Sequence, residues 1–357
     1  MGTTIYNWVD ERLGLTGALT LARKKTVPVH AHSFWYYWGG ITLFLFVLQV
    51  LSGVLLLLYY RPGADAYESV RQITFQMQFG WLIRSAHAWA ANLLLFCIFV
   101  HMFSVFFMKA YRSPREFGWF SGMGLLMLAV LFGFSGYLLP MDELSYFATK
   151  VGLQMCASVP FMGRYLADLI RGGPDVNEFT VQRFFALHVV VLPAIFIPLL
   201  AFHLWLVQKH GNAIPESELA RPVEQRRSIP FFPNFFAKDL AMWLIALNVV
   251  ALMASMFPWT LGKPADPLSP APVGIHPEWY FMAPFAALKF LGAVAPGTIG
   301  DMLGMLLFNG ALLLWLAIPF YDGSTAAGRR GRRAHYIGIG AVTCLAVLTV
   351  AGYWGIH

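Results

Sequence analysis

Four histidines stand in otherwise apolar sequence. RSAHAWAANLLLFCIFVHMF carries His87 and His101, fourteen residues apart, and RFFALHVVVLPAIFIPLLAFHLW carries His188 and His203, fifteen apart. An imidazole in hydrocarbon is costly unless a partner satisfies it. On an α-helix, fourteen residues carry the second ring about 21 Å along the axis and leave it about 40° from the first; fifteen give about 22 Å and about 60°. Each segment therefore presents two rings on one face, one near each end. Two such helices lying side by side in one direction set His87 level with His188 and His101 level with His203. Bis-imidazole ligation of two stacked haems is the chemistry that such a donor set performs.

Glycines repeat the interval. Gly39 and Gly53 are fourteen apart in one apolar run, and Gly122 and Gly136 in another. A flat macrocycle held between four helices needs close approach from the two that supply no ligand, and glycine permits it. The rival reading is four histidines hydrogen-bonded to neighbouring helices. A proton or metal pathway is a third, and would favour carboxylates beside the histidines; the first four apolar runs have none between their ends.

The elements that must position these residues are membrane helices. The chain has 357 residues, 58% hydrophobic and 12% charged, with a mean hydropathy of +0.61, which points to a polytopic membrane protein. Seven runs are nearly free of charge: Ser33–Tyr60, Ser85–Met108, Phe117–Met141, Phe184–Gln208, Leu240–Gly262, Met302–Tyr321 and Ala334–Ile356. Each can cross a ~30 Å hydrocarbon core as a helix. Sixteen of the 25 Lys and Arg fall in the N-terminal segment and in the second, fourth and sixth connections. Those parts are expected on the cytoplasmic side, with the C-terminus on the opposite, positive side. The net charge of +7 is read as loop charge, not as a nucleic-acid surface. The three cysteines are far apart and form no CxxCH, so no ordinary c-type haem attachment is expected. The N-terminus has no apolar h-region, and its Met-Gly start is read as coincidental.

The motifs YYWGGIT, LQVLSGV, YYRP, FGWLIRSAH, SGYLLPMDELSYFA, TVQRFFALH and HPEWYF follow in order along the chain. In these residues it resembles cytochrome b, the membrane core of the cytochrome bc complexes. The resemblance implies an all-α fold of seven transmembrane helices, with a four-helix dihaem bundle followed by a three-helix part. The corresponding segments are 1–32, a cytoplasmic-side N-terminal piece; 33–210, the haem domain; 211–238, a linker; and 239–357, the C-terminal domain. It implies two non-covalent b haems, a low-potential one on His87 and His188 and a high-potential one on His101 and His203. Arg84 and Arg183 suit the propionates of the first; interface snorkelling is the alternative.

Pro277–Glu278–Trp279–Tyr280 is similar to the family's quinol-oxidation signature. A quinol that loses two electrons also loses two protons, and Glu278 suits the acceptor. Tyr137 and Tyr280 look like the pocket lining, with Asp142 on the same turn. IPFFPNFFAKD resembles the segment that serves quinone reduction near the cytoplasmic face. This singles out Asp239 with Lys238 beside it, and His210 as a further candidate; charges at a helix start are the alternative. The implied function is quinol oxidation on the positive side, with one electron crossing through both haems to a cytoplasmic-side quinone, coupled to proton translocation. No cluster-binding thiolate set is present, so a Rieske iron–sulfur protein and a c-type cytochrome are the implied partners, with a dimeric complex in a bacterial inner membrane.

Departures from the family pattern carry expectations too. Tyr37 and Gln208 stand where the chloroplast type has a cysteine and an arginine, so no third, covalent haem is expected. Ser104 stands where the family has an arginine, leaving Lys109, Arg112 or Arg115 for the cytoplasmic haem. A fifteen-residue interval against one of fourteen leaves the rings about 100° of helix rotation out of register; a bend at Pro193 or Pro198 is expected to absorb it. A dihaem membrane anchor of a dehydrogenase is the alternative function, and a haem-free transporter the second.

Overall fold

A run without charges in hydrocarbon satisfies its backbone only by coiling on itself, and the chain is mostly helical. The computed structural model describes residues 2–322 other than 158, 160, 273, 296 and 297, together with residues 329–355. Among them, six helices are long and apolar enough to cross a membrane: α1 (Ser33–Leu57), α2 (Gly80–Phe107), α3 (Glu116–Tyr137), α4 (Glu178–His210), α5 (Phe231–Met256) and, after two shorter apolar helices, α8 (Arg333–Trp354). The shorter two are α6 (Trp279–Val294) and α7 (Thr298–Leu316). α1 packs on α2, α3 on α4, α5 across α1 and α2, and α6 against α7 and α8.

Several boundaries differ from the sequence expectation. α2 begins at Gly80, so Arg84 lies inside the helix. α5 is helical from Phe236 and stops at Met256, not at Gly262. Phe257 precedes Pro258, and a residue before proline is driven out of the helical region; its φ is −128° and ψ 66°. The sixth apolar run breaks after Leu316, and Pro319 opens a separate turn, Ile318–Tyr321. Ile356, the last residue of the seventh expected run, lies outside the described residues.

The start of α4 is fixed by chemistry that its sequence carries. Asn177 accepts from the backbone of Phe179 and Thr180, and the Thr180 hydroxyl accepts from Asn177 N at 3.0 Å, a reciprocal cap. Nine residues later the helix widens into a π turn, Leu187–Val191, closed by Leu192 N–H bonding to Leu187 O. A π turn takes in one more residue than an α turn. The extra residue of the fifteen-residue interval therefore sits here, two residues before Pro193. Pro193 follows this turn after Leu192, and Pro198 lies within the regular helix beyond it.

Two stitches tie loops to the bundle. At one end of the bundle, β1 (Thr26–Val29) pairs antiparallel with β2 (Arg227–Pro230), joining the N-terminal segment to the linker. On the other side, Asp142 pairs with Pro264, and Ala265 N–H donates to Met141 O at 3.2 Å. A third tie is ionic. Arg112 and Asp322 are both buried, with Nη2 to Oδ2 at 2.7 Å, and Tyr111 Oη donates to the same carboxylate at 2.6 Å. Glu216 also pairs with Arg112, and takes Lys109 Nζ at 2.8 Å. Removing one partner of a buried pair strands the other charge. Asp322→Ala is therefore expected to cost about 3–5 kcal/mol, read as a lower thermal midpoint of the purified protein. An unchanged midpoint would show that the pair holds nothing together.

Candidate functional site

Helices α1 and α2 run antiparallel, as do α3 and α4, and each glycine meets one histidine. A Cβ on Gly53 would stand 3.3 Å from His87 Cε1, one on Gly39 3.1 Å from His101 Cε1, one on Gly122 3.2 Å from His203 Cε1, and one on Gly136 2.8 Å from His188 Cε1. The rings of His87 and His188 lie edge to face, with centroids 6.5 Å apart and planes at 70°. His101 and His203 are close enough to interact electrostatically. Thus the structure brings together the two pairs that the spacing joins.

The residue before three of the four glycines orients the ring. Ser52 Oγ lies 2.9 Å from His87 Nδ1, Ser121 Oγ 2.9 Å from His203 Nδ1, and Ser135 Oγ 3.0 Å from His188 Nδ1. Each hydroxyl gives its own proton to a helix carbonyl: Leu48 O, Phe117 O and Phe132 O respectively. Its lone pair is left to accept from Nδ1–H, which frees Nε2 as the donor atom for a metal. The sequence reading passed over these serines, although Ser-Gly recurs at three of the four glycines.

Arg84 and Arg183, near His87 and His188 in the chain, both hold backbone. Arg84 is buried and donates to Trp259 O at 2.8 Å and Thr260 O at 3.1 Å. Arg183 is exposed and donates to Leu169 O at 2.7 Å. At the other end of the bundle, Lys109 and Arg112 are engaged by Glu216 and Asp322, and Arg115 donates to His210 O at 3.0 Å. Lys25, which the sequence reading did not select, binds Gln208 at the end of α4.

Pro277–Glu278–Trp279–Tyr280 opens α6, with Glu278 at its N-cap position and no cap hydrogen bond from the side chain. The surrounding segment is strapped to α2 by Arg84, by Trp259 N–H donating to Ser85 Oγ (2.8 Å) and by Trp89 Nε1 donating to Phe257 O (2.8 Å). Trp279 Nε1 donates to Asn92 Oδ1 at 2.8 Å. Tyr280 points its hydroxyl at α3, where any side chain on Gly133 would strike it. Glu278 lies near enough to Tyr137, Tyr280 and Tyr353 to act on each electrostatically. Burial pushes its carboxyl above the ordinary carboxylate range, and His276 beside it pulls the other way. Tyr353 and His276, whose rings are 5.0 Å apart, escaped the sequence reading; adjacency to the motif pointed to His276, and nothing in the sequence to Tyr353. Asp142 accepts from Ser145 N at 3.0 Å and Gly262 N at 3.1 Å, so it fixes the loops around the site.

Asp239 sits in the first turn of α5 against Gly40, where a side chain would collide with its carboxylate. Its Oδ1 is buried without a partner, as are Trp38 Nε1, Trp243 Nε1 and His101 Nδ1. Lys238 is exposed and does not share this burial; His210 ends α4.

A bundle of membrane-length helices that holds two pairs of half-buried histidines, each ring backed by a glycine, defines a class: a helical membrane protein of electron transport. The description "Cytochrome b/b6/petB" matches residues 23–211, and "Cytochrome b(C-terminal)/b6/petD" matches residues 264–356. The chain is 44% identical to the cytochrome bc complex cytochrome b subunit of Chlorobaculum thiosulfatiphilum, over 98% of this chain and 81% of that one. It is 41% identical to the menaquinol:cytochrome c reductase cytochrome b subunit of Geobacillus thermodenitrificans, over 59% of this chain and 98% of that one. A solved structure of a hyperthermophilic respiratory Complex III superposes with a TM-score of 0.85 at 29% identity, covering 97% of this chain and 90% of the other. The chain belongs to the cytochrome b family of bc-type quinol:cytochrome c oxidoreductase complexes. Membership implies haem b, and the match over the C-terminal part speaks against a dehydrogenase anchor.

Proposed function

We propose that this chain is the dihaem, quinone-binding core of its complex, with His87 and His188 holding one b haem and His101 and His203 the other. Each observed feature fits that cofactor. A metal atom ~2 Å from a nitrogen of each ring sets ring centroids about 6 Å apart, close to the 6.5 Å between His87 and His188. The glycines leave the approach that a macrocycle needs, and the serines fix the ligating tautomer. Arg84 is placed for a propionate with donors beyond the two already engaged. Haem at the two levels supplies one-electron transfer, which connects the faces of the membrane.

Glu278 takes a proton from quinol on the positive side, with Tyr137, Pro277, Trp279 and Tyr280 shaping the pocket. Asp239 serves quinone reduction at the cytoplasmic side, with the exposed Lys238 beside it. Oxidation on one face and reduction on the other converts electron transfer into proton translocation. The seven-span reading counts α7 as the short sixth crossing and leaves α6 on the positive side. It divides the chain at 33–210, 211–238 and 239–357, with residues 1–32 cytoplasmic and the C-terminus on the positive side. A Rieske protein and a c-type cytochrome complete a dimeric complex in a bacterial inner membrane.

The one-to-one register of four glycines with four histidines carries this reading. The test is the spectrum of the purified protein: two b-type haems per chain, reducible by added quinol. A chain that purifies folded without haem ends the proposal.

A further inference from the structure

The four histidines are not equivalent. His87, His188 and His203 each have a serine hydroxyl on Nδ1, and His188 and His203 also approach the carbonyls of Phe132 and Gly118. His101 has neither. Its Nδ1 is sealed from solvent and has no partner. The cause is one residue. In the first glycine position, Gly39, the preceding residue is Trp38 instead of serine. An indole offers a donor only, and Trp38 Nε1 is itself buried without a partner. Two donors cannot satisfy each other.

An acceptor on Nδ1–H raises the basicity of a ligating imidazole and stabilises the more oxidised metal. Hydrogen bonding around the ligands is one of the levers on reduction potential. The His87/His188 level has a hydroxyl acceptor on both rings, and the His101/His203 level on one. We propose that Trp38 is a positioning residue that makes the His101/His203 centre the easier of the two to reduce, by denying His101 its acceptor. This rests on the dihaem reading, and deepens it by naming the residue that separates the two centres. The consequence is directional: electrons entering at the His87/His188 level run downhill to the cytoplasmic side.

The experiment is an optical redox titration of the purified complex carrying single substitutions. Trp38→Ser is expected to shift the ferric-to-ferrous ratio of the His101/His203 centre about tenfold toward ferric at fixed ambient potential, ~59 mV for one electron. The other centre stays in place. Ser135→Ala is expected to move the His87/His188 centre the opposite way, and Ser121→Ala to move the His101/His203 centre upward. Trp38→Phe keeps the bulk, still offers no acceptor and should change neither potential. A two-haem Trp38→Ser protein with unshifted potentials overturns the proposal, as does a Trp38→Phe protein that shifts like Trp38→Ser. Should Trp38→Ser fail to assemble, the serine variants decide, and a Ser121→Ala centre that does not rise overturns it. Fewer than two haems in the unaltered protein fails the underlying reading instead, so the two failures are distinct.

Discussion

Glu278→Gln is expected to slow quinol oxidation by about 10²-fold or more, while both haems stay bound and quinone reduction from the cytoplasmic side persists. The glutamine is nearly isosteric. The carboxylate makes no cap hydrogen bond to α6, so the substitution removes a proton acceptor without loosening the fold. The pH dependence separates a proton acceptor from a merely polar lining group. Burial holds the carboxyl above its usual range, and only the ionised form accepts a proton. The wild-type rate should therefore rise with pH through a range above that of a free glutamate, ~4.3. The glutamine variant should lose that limb and run flat. A steady-state rate close to wild type, or a limb that survives the substitution, removes Glu278 from the role.

Tyr137, Tyr280 and Tyr353 surround the carboxylate from three different elements, α3, α6 and α8. Only the first two were legible in the sequence, because each lies in a local motif. Tyr353 reaches the site by tertiary packing of the last helix, and no local pattern announces that. The same division holds elsewhere. Charge-free runs and histidine intervals gave the helices and the pairing, since periodicity along one helix fixes which residues share a face. An interval cannot say where within it a helix changes pitch, so the π turn at Leu187–Val191 is not legible in the sequence. The ion pairs of the cations are not legible for a related reason. Lys109 and Arg112 looked free for a propionate, but they meet Glu216 and Asp322, which are more than a hundred residues away in sequence.

The glycines allow a graded result. In the ligated protein a histidine ring cannot swing away from a new methyl group, so the cost of each Gly→Ala change should follow the room that is left. Gly136→Ala sets its Cβ 2.8 Å from His188 Cε1, the closest of the four approaches, and Gly53→Ala sets one 3.3 Å from His87 Cε1, the loosest. Both rings are held at Nδ1 by the serine next to the substituted glycine, and His188 alone of the two also has its backbone in the π turn. Gly136→Ala is therefore expected to leave about one haem per chain, losing the one on His87 and His188, whereas Gly53→Ala keeps both. Haem content per polypeptide from a pyridine haemochrome assay measures this directly. The order matters more than the absolute losses, because on the proposed assignment both glycines flank the same haem from opposite sides. Equal retention by both variants would mean that glycine stands at these positions for helix packing, and that close approach to the rings is incidental.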